Sequence, residues 1–358
     1  MSDGVRCMLM RGGTSKGAYF LESDLPSDAA ERDDVLLRIM GSPDERQIDG
    51  IGGAHPLTSK VAVVAPSTHP DCDVDYLFLQ VVVDQAIVSD AQTCGNLLAG
   101  VAPFAIERGL VAAEEESTRV RIRILNGGGG EAVATVETPG RQVSYEGDVM
   151  VSGVPFGAAP IELEFPSEGG ALFPTGRLTD VFADTAVSCV DAGMPVVLIR
   201  AADLGLEGDE SPEELEADGA LRERLERIRL EAGRAMGFGD VTDTTVPKLS
   251  IVSPPRHGGT ITTRTFIPHR VHTSIGVLGA VSVAVGVAVP ETVASFAVGT
   301  EEDAALRIEH PTGYFDVELE LDESGRTLRR SAVIRTARKL FDGVVWPRPA
   351  AAVKGTTP

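Results

Sequence analysis

Positive charge is scarce in this chain. Its 358 residues hold 32 Lys and Arg against 53 Asp and Glu, a formal charge of -21. That balance excludes a nucleic-acid binder, which must neutralise phosphates with clustered Lys and Arg; no long basic run is present. It argues equally against docking on anionic lipid. An anionic small-molecule ligand would need local positive potential built against the global field. Cysteine is scarce too. Cys7, Cys72, Cys94 and Cys189 are the whole set and none forms a CxxC pair, so no disulfide scaffold is encoded and a reduced, cytoplasmic setting is expected. The first stretch, MSDGVRCMLMRGG, lacks a charged segment followed by an apolar core, so no signal peptide is expected. The longest apolar run, Ile275 to Pro290, falls short of the ~18 to 20 residues that span a bilayer. Its Gly and Ala content fits a helix buried on all sides.

What is present fits a packed globular protein: 43% apolar and 24% charged residues, over a length that allows two or three domains. The first half reads as mostly strand. Val5 to Met10 and Gly17 to Leu21 flank the turn-forming RGGTSK and predict a hairpin. Asp28 to Met40 carries Val35, Leu36, Ile39 and Met40 on one helical face, and Gly41-Ser42-Pro43-Asp44 ends it. The glycine-rich QIDGIGGAHPLTSK leads into a strand at Val61 to Ala65, and Val74 to Val83 is another. From Thr93, a candidate N-cap, Leu97, Leu98, Val101, Phe104, Ala105 and Ile106 recur at helical spacing up to Arg108-Gly109. Pro103 is expected to kink that helix or shift its start. Val120 to Leu125 and Ala132 to Val136 predict a hairpin around Asn126 and four glycines.

The second half repeats the plan: a strand pair from Cys189 to Ile199, one amphipathic helix from Ser211 to Met236, strands at Lys248 to Pro254 and Thr260 to Phe266, a buried helix starting near His272-Thr273-Ser274, and strands from Ile308 to Val345. KVAVVAP at 60–66 aligns with KLSIVSP at 248–254, and TCGNLLAGV at 93–101 with TSIGVLGAV at 273–281. The pattern predicts an internal duplication. Each half would wrap a twisted sheet on one buried helix, with both helix N-termini facing a shared cleft.

Two residues stand out chemically. Cys94 falls at the predicted start of a buried helix, where unpaired N–H groups and the helix dipole stabilise a thiolate. The next residues, Gly95 and Asn96, would let backbone amides approach a carboxylate. The alternative is a small buried hydrophobe. Lys60 is one of only five lysines beside 27 arginines. A desolvated lysine can lose its proton and act as a general base, which arginine cannot; the alternative is a strand-end lysine that snorkels to solvent. Lys16, in GGTSKG, does not complete a phosphate-binding GxxxxGK[ST] motif. His269 and His272 stand three apart with no third ligand at metal spacing, so no metal is expected. Asp71 to Asp75 lacks the glycine and glutamate of a calcium loop and reads as a solvated turn.

The runs MRGGTSKGAYFL (10–21), MGSPDERQIDGIGGAHPLTSKVAVV (40–64), DVDYLFLQVVVD (73–84), TCGNLLAGVAPFAIERGLV (93–111), FPTG (173–176), DAGMPVVL (191–198), FIPHRVHTSIGVLGAVSVA (266–284) and RTARKLFDGVV (335–345) resemble the PrpF-type isomerases over nearly the whole chain. Within that family the segment before the second buried helix looks most like the 4-oxalomesaconate tautomerases of gallate and protocatechuate catabolism. The family alternative is 2-methylaconitate isomerisation in propionate metabolism. The resemblance implies an α/β diaminopimelate-epimerase-like fold: two pseudo-symmetric halves, each a mainly antiparallel sheet around a central helix. It also implies that Lys60 and Cys94 are the catalytic pair, that the substrate is an unsaturated di- or tricarboxylate, and that no cofactor is needed.

Epimerases on this fold use one thiol from each half. Here Thr273 and Ser274 stand where the second cysteine would be, and a hydroxyl is too weak a base. Proton transfer within an allylic or keto–enol system is therefore expected, with Lys60 as base. Cys94 or Lys60 returns the proton. Gly13, Thr14, Ser15, Ser59, Gly95, Asn96, His272, Thr273 and Ser274 are the expected substrate contacts. Rival classes are a hydrolase or transferase using Cys94 as nucleophile, and a non-catalytic carboxylate-binding protein. The expected halves are 1–185, with its helix at about 93–109, and 186–330, with its helix at about 273–289; residues 331–358 would return to the first. A homodimer is compatible with the sequence, but no feature of it fixes one.

Overall fold

The computed structural model describes residues 4–91, 93–126, 129–166, 170–242, 244–297 and 305–350. Its contacts group the chain into two compact units, 1–163 with 335–358, and 164–334. The first unit is built from β1 (Val5–Gly12), β2 (Ser15–Leu21), α1 (Ala29–Met40), β3 (Lys60–Pro66), β4 (Val74–Val81), β5 (Val88–Ser89), α2 (Gly95–Glu107), β6 (Ser117–Ile124) and β7 (Glu131–Glu137). Strand β8 (Pro160–Pro166) runs across the first boundary. The second unit contains β9 (Asp180–Phe182), β10 (Thr185–Asp191), β11 (Pro195–Arg200), α3 (Pro212–Ala217), α4 (Gly219–Ala235), β12 (Lys248–Ser253), β13 (Ile261–Ile267), β14 (Arg270–Val271), α5 (Val277–Ala288), β15 (Leu306–His310) and β16 (Gly313–Leu321). The long β17 (Leu328–Val345) serves the second unit with its first part and the first unit with its last.

The two units have the same strand logic. In the first, β1 and β2 form an antiparallel hairpin, β2 runs parallel to β3, β3 antiparallel to β4, β4 parallel to β6, and β6 antiparallel to β7. In the second, the same sequence of pairings joins β10, β11, β12, β13, β15 and β16. The duplication read from two short alignments is thus a duplication of topology. Lys60 opens β3 and Lys248 opens β12, so the two lysines occupy equivalent places.

Each unit has two layers of helix. Helix α2 is apolar on every face, with Leu97 to Ile106 all buried, and it packs on β1, β2, β3, β4, β6 and β7. The other face of that sheet is covered by α1, whose Leu36, Ile39 and Met40 join Phe20, Val61, Val63, Leu79 and Val81 in one cluster. In the second unit α5 packs on β10, β11, β15 and β16. There, α4 covers the opposite face with Leu221, Leu225, Ile228 and Ala232. Because both faces are covered, β3 and β12 read as continuous apolar runs rather than alternating ones.

Several boundaries differ from expectation. Helix α2 runs through Pro103 without ending, since the sheet encloses it there. Its N-cap is Cys94 rather than Thr93. The predicted helix 211–236 is two helices. Ser211 caps α3 in a reciprocal box with Glu214, and Asp218 then turns extended and accepts from the Leu221 N–H to start α4. Helix α5 begins at Val277 with Gly276 as N-cap, because the preceding loop spends its backbone elsewhere: the Ser274 N–H donates to His272 Nδ1.

Arg229 on α4 is fully buried. It pairs bidentately with Glu226 at 2.8 Å, and its remaining N–H groups donate to the carbonyls of Val241, Thr242, Thr244 and Val246. It therefore fixes the loop that leads into β12. Arg229→Ala would strand these carbonyls and a carboxylate, and should cost about 3 to 5 kcal/mol in urea unfolding. A loss below about 1 kcal/mol would show that water replaces the guanidinium.

Candidate active site

Lys60 is the first residue of β3 and only 6% exposed. Its Nζ donates to Gln80 Oε1 at 2.7 Å and lies 4.8 Å from the centre of the Phe78 ring. Gln80 is its cross-strand partner on β4 and is itself oriented. The Gln80 side-chain amide donates to the carbonyls of Ser59 at 2.9 Å and Pro56 at 3.2 Å. The lysine is thus held by a neutral acceptor and an aromatic face, with no carboxylate bonded to it among the described residues. That is a fixed amine rather than a snorkelling one.

Ser59 turns the other way. It is fully buried; its hydroxyl donates to the Val81 carbonyl at 2.8 Å and accepts from Gln47 Nε2 at 2.7 Å. The same Gln47 amide reaches Ser42 Oγ, and its Oε1 accepts from the Ala54 N–H. These bonds pin the glycine-rich loop before Lys60. They also engage the Ser59 hydroxyl, which helps brace that loop.

The Gly12-Gly13-Thr14 turn closes against the start of α2. A Cβ on Gly12 would stand 2.4 Å from the Asn96 carbonyl oxygen, and one on Gly13, at φ +51°, 2.2 Å from Asn96 Oδ1. Only glycine permits this approach. Asn96 Nδ2 donates to Thr14 Oγ1 at 3.1 Å, and Asn96 Oδ1 accepts from the Thr14 N–H at 3.4 Å. Ser15, next in line, is 2% exposed and its Oγ has no hydrogen-bond partner. A Cβ on Gly17 would touch both the Lys60 carbonyl and Leu97, so this strand brings the start of β3 up to the first turn of α2.

Cys94 caps that turn with extended backbone and is half-buried. Its carbonyl accepts from the Leu98 N–H at 3.1 Å and from the Tyr76 hydroxyl at 3.2 Å. The Tyr19 hydroxyl donates to the Leu97 carbonyl at 2.6 Å. Burial raises the pKa of both phenols well above the ordinary value, with the Cys94 charge adding to it. They act as permanent donors. The N–H groups of Gly95 and Asn96 belong to the first turn, where a helix has no internal acceptors. Gly13, Thr14, Ser15, Gly95, Asn96, Lys60 and Cys94 all belong to this unit. Together they offer an amine, a thiol, an unpartnered hydroxyl and helix-start amides, a set suited to moving a proton beside a carboxylate.

In the second unit, His272 accepts from the Ser274 N–H, and the Ser274 hydroxyl bonds His310 Nε2 at 3.1 Å. The Thr273 carbonyl accepts from the Thr312 hydroxyl at 2.8 Å. His272, Thr273 and Ser274 thus form a braced loop before α5. Lys248 stands beside it, its Nζ 3.9 Å from where a Gly276 Cβ would be. Burial lowers the Lys248 pKa. Burial, and secondly the Lys248 charge, lower that of His272 to about 4. Gln80, Lys248 and His310 were missed as site candidates. For Lys248 the signal was its alignment with Lys60. Gln80 and His310 carried none. A cavity of about 280 Å³ also opens in this unit, lined by Arg256, Arg264, Arg307, Glu309, His310 and Tyr314 among others. None of the sequence-predicted site residues lines it.

Comparison with known proteins shows the family. Residues 3–348 match the PrpF protein family, and the chain belongs to that family. It is 55% identical over 350 residues to (4E)-oxalomesaconate Delta-isomerase of Novosphingobium sp. strain KA1, covering 96% of this chain and 98% of that one. It is 54% identical to 4-oxalomesaconate tautomerase of Pseudomonas putida, covering 95% of each. It is 34% identical to 2-methyl-aconitate isomerase of Shewanella oneidensis, covering 96% of this chain and 97% of that one. Its relatives here are isomerases and a tautomerase, and the chain is an enzyme of that kind. Among solved structures, methylitaconate-delta-isomerase matches with a TM-score of 0.85 at 34% identity, over 96% of this chain and 95% of that one. A hydroxyproline epimerase from Agrobacterium vitis shares the fold alone, with a TM-score of 0.52 at 15% identity over 97% and 94% of the chains. The expected α/β diaminopimelate-epimerase-like fold is the one observed. No helix among the described residues is long and apolar enough to cross a membrane.

The folded-state pKa of His272 lies below its unfolded value of about 6.5. Above that value the ring is neutral in both states. As pH falls from about 6.5 to about 4 the unfolded chain takes the proton first, so stability should drop by about 3 kcal/mol and then level off. Chemical denaturation across that range should show the drop in the native chain and its loss in His272→Asn. An unchanged slope in the variant would mean that His272 titrates freely.

Proposed function

We propose that this chain is a 4-oxalomesaconate tautomerase that moves a proton within that unsaturated tricarboxylate by general acid–base chemistry. The observation that supports the substrate is full-length likeness to two relatives named for it. The buried, carboxylate-free Lys60 beside the start of α2 supports the reaction type.

In this reading the Lys60 amine takes a proton from the carbon next to the carbonyl or double bond. The electron pair left behind moves into the conjugated system as an enolate. Gly95 and Asn96 amides and the Ser15 hydroxyl hold the oxygen that gains charge; Thr14 and Gly13 shape the turn that presents them. Cys94 or the Lys60 ammonium returns a proton at the distal carbon. Atoms balance within the substrate and nothing is oxidised, so the step as written calls on no cofactor. Gln80 is the positioning residue for Lys60. The loop His272 to Ser274, with Lys248, is proposed as an anion-binding loop of the second unit. A Cys94-nucleophile hydrolase would need a positioned histidine, and among the described residues no histidine is hydrogen-bonded to Cys94.

The test offers purified chain 4-oxalomesaconate and 2-methylaconitate in D2O, read by proton NMR and ultraviolet absorbance. Turnover of the first with solvent deuterium incorporated is expected. Lys60→Ala should lower kcat by about 100- to 10,000-fold, the usual contribution of a general base. Near-full activity in Lys60→Ala would place the base elsewhere. Turnover of 2-methylaconitate alone would reassign the substrate, and neither turnover nor exchange would favour a carboxylate-binding protein.

A further inference from the structure

We propose that the first unit carries a divalent transition-metal site, of zinc type, formed by His69, Cys72 and Glu131. The side-chain ligand atoms of these three residues lie within 4.8 Å of one another. His69 and Cys72 are spaced H-x2-C on one tight turn, closed by the Cys72 N–H donating to the His69 carbonyl at 3.2 Å. Two-residue spacing of this kind directs both ligands of a structural zinc turn to one side. Glu131 arrives from the first position of β7, opposite Arg123 on β6.

The individual atoms are poised for a cation. His69 Nδ1 is shielded from solvent and has no hydrogen-bond partner, with Glu131 Oε1 3.9 Å away. Such a nitrogen is costly to leave unused. Cys72 is 6% exposed, and its sulfur lies within 4.8 Å of the Glu131 carboxylate. The neighbouring guanidinium groups do not compete for the carboxylate: Arg121 is bound by Asp73 and Arg123 by Asp75, each through two nitrogens. An imidazole nitrogen, a thiolate and a carboxylate are ordinary zinc ligands at about 2.0 to 2.3 Å, and gathering atoms now 4.8 Å apart or less needs only small rotations. The His69 and Glu131 side chains are 40% and 43% exposed, so water can complete a tetrahedron. Binding would displace the thiol proton: cation and thiol give metal thiolate and one proton.

This site is not part of the Lys60 machinery. Lys60 pairs with Gln80 at one end of the β3–β4 hairpin, and Cys72 precedes Val74 at the other. Six residues of strand, at about 3.3 Å each, put about 20 Å between the two ends. A cation here would tie the turn before β4 to the start of β7. Its expected effect is on stability rather than on turnover.

The test uses the full chain, stripped with a chelator and kept reduced. Zinc is titrated against a chromogenic competitor, and cobalt(II) is added as a spectroscopic probe. One equivalent should bind, with a thiolate-to-cobalt charge-transfer band, and zinc should raise Tm. Cys72→Ser should abolish the band, and Cys94→Ser should keep it. His69→Asn and Glu131→Gln change half-exposed side chains and should fold. Each should weaken zinc binding at least about tenfold, since loss of even an outer-shell partner does that. The proposal is overturned by absence of stoichiometric binding, by a band that survives Cys72→Ser, or by zinc affinity unchanged in both half-exposed variants.

Discussion

Close approach of backbone to the first turn of α2 is the constraint on which the candidate site rests. The helix is apolar on all sides and must be enclosed completely. The β1–β2 turn can reach it only because Gly12, Gly13 and Gly17 have no side chains to strike Asn96, Leu97 or the Lys60 carbonyl. Gly100 plays the same part for Tyr19, whose ring oxygen would lie 2.4 Å from a Cβ there. Once the turn is seated, Thr14 and Asn96 lock to each other, and the phenols of Tyr19 and Tyr76 bind the carbonyls of Leu97 and Cys94. The thiol and the open amides of the helix start are then presented by a rigid frame. Rigid presentation is what acid–base catalysis asks of a scaffold.

The same enclosure explains how an amine is held in an acidic protein. Lys60 sits at a strand start, shielded by the Phe78 ring and fixed by Gln80, which is fixed in turn by two backbone carbonyls. That set holds no carboxylate. The second unit repeats the strand order and keeps a lysine at the matching place, but its helix start differs. There His272, Ser274 and His310 fill with polar contacts what glycine and tyrosine fill in the first unit. The duplicated topology therefore carries two different ends: one with an amine and a thiol, the other with neutral imidazole and hydroxyls.

Much of this was legible without coordinates. Apolar runs and turn residues located most of the strands, α1 and both buried helices, and the repeated Lys-led strand exposed the duplication; β8 and β9 went unread. Lys60 and Cys94 could be singled out because a rare residue type and a helix start are local signals. What failed were features decided by a partner far along the chain. The 211–236 helix breaks at Asp218 because that side chain caps a new helix; propensity alone favoured continuity. Helix α5 starts late because His272 captures the Ser274 amide. The partners of the Ser59 hydroxyl, Gln47 and Val81, likewise come from outside its own stretch of chain.

The sequence by itself determined the class of fold, the enclosed helices, the two units' common plan and the chemical types available to a site. Those follow from periodicity, composition and short-range turn chemistry, which act over a few residues. Tertiary structure alone decided that Gln80 faces Lys60 across a strand pair, that Ser15 is left without a partner, and that His69 and Cys72 meet Glu131. Each depends on strand register and on which donors are already spent. Those quantities exist only once distant segments are packed together.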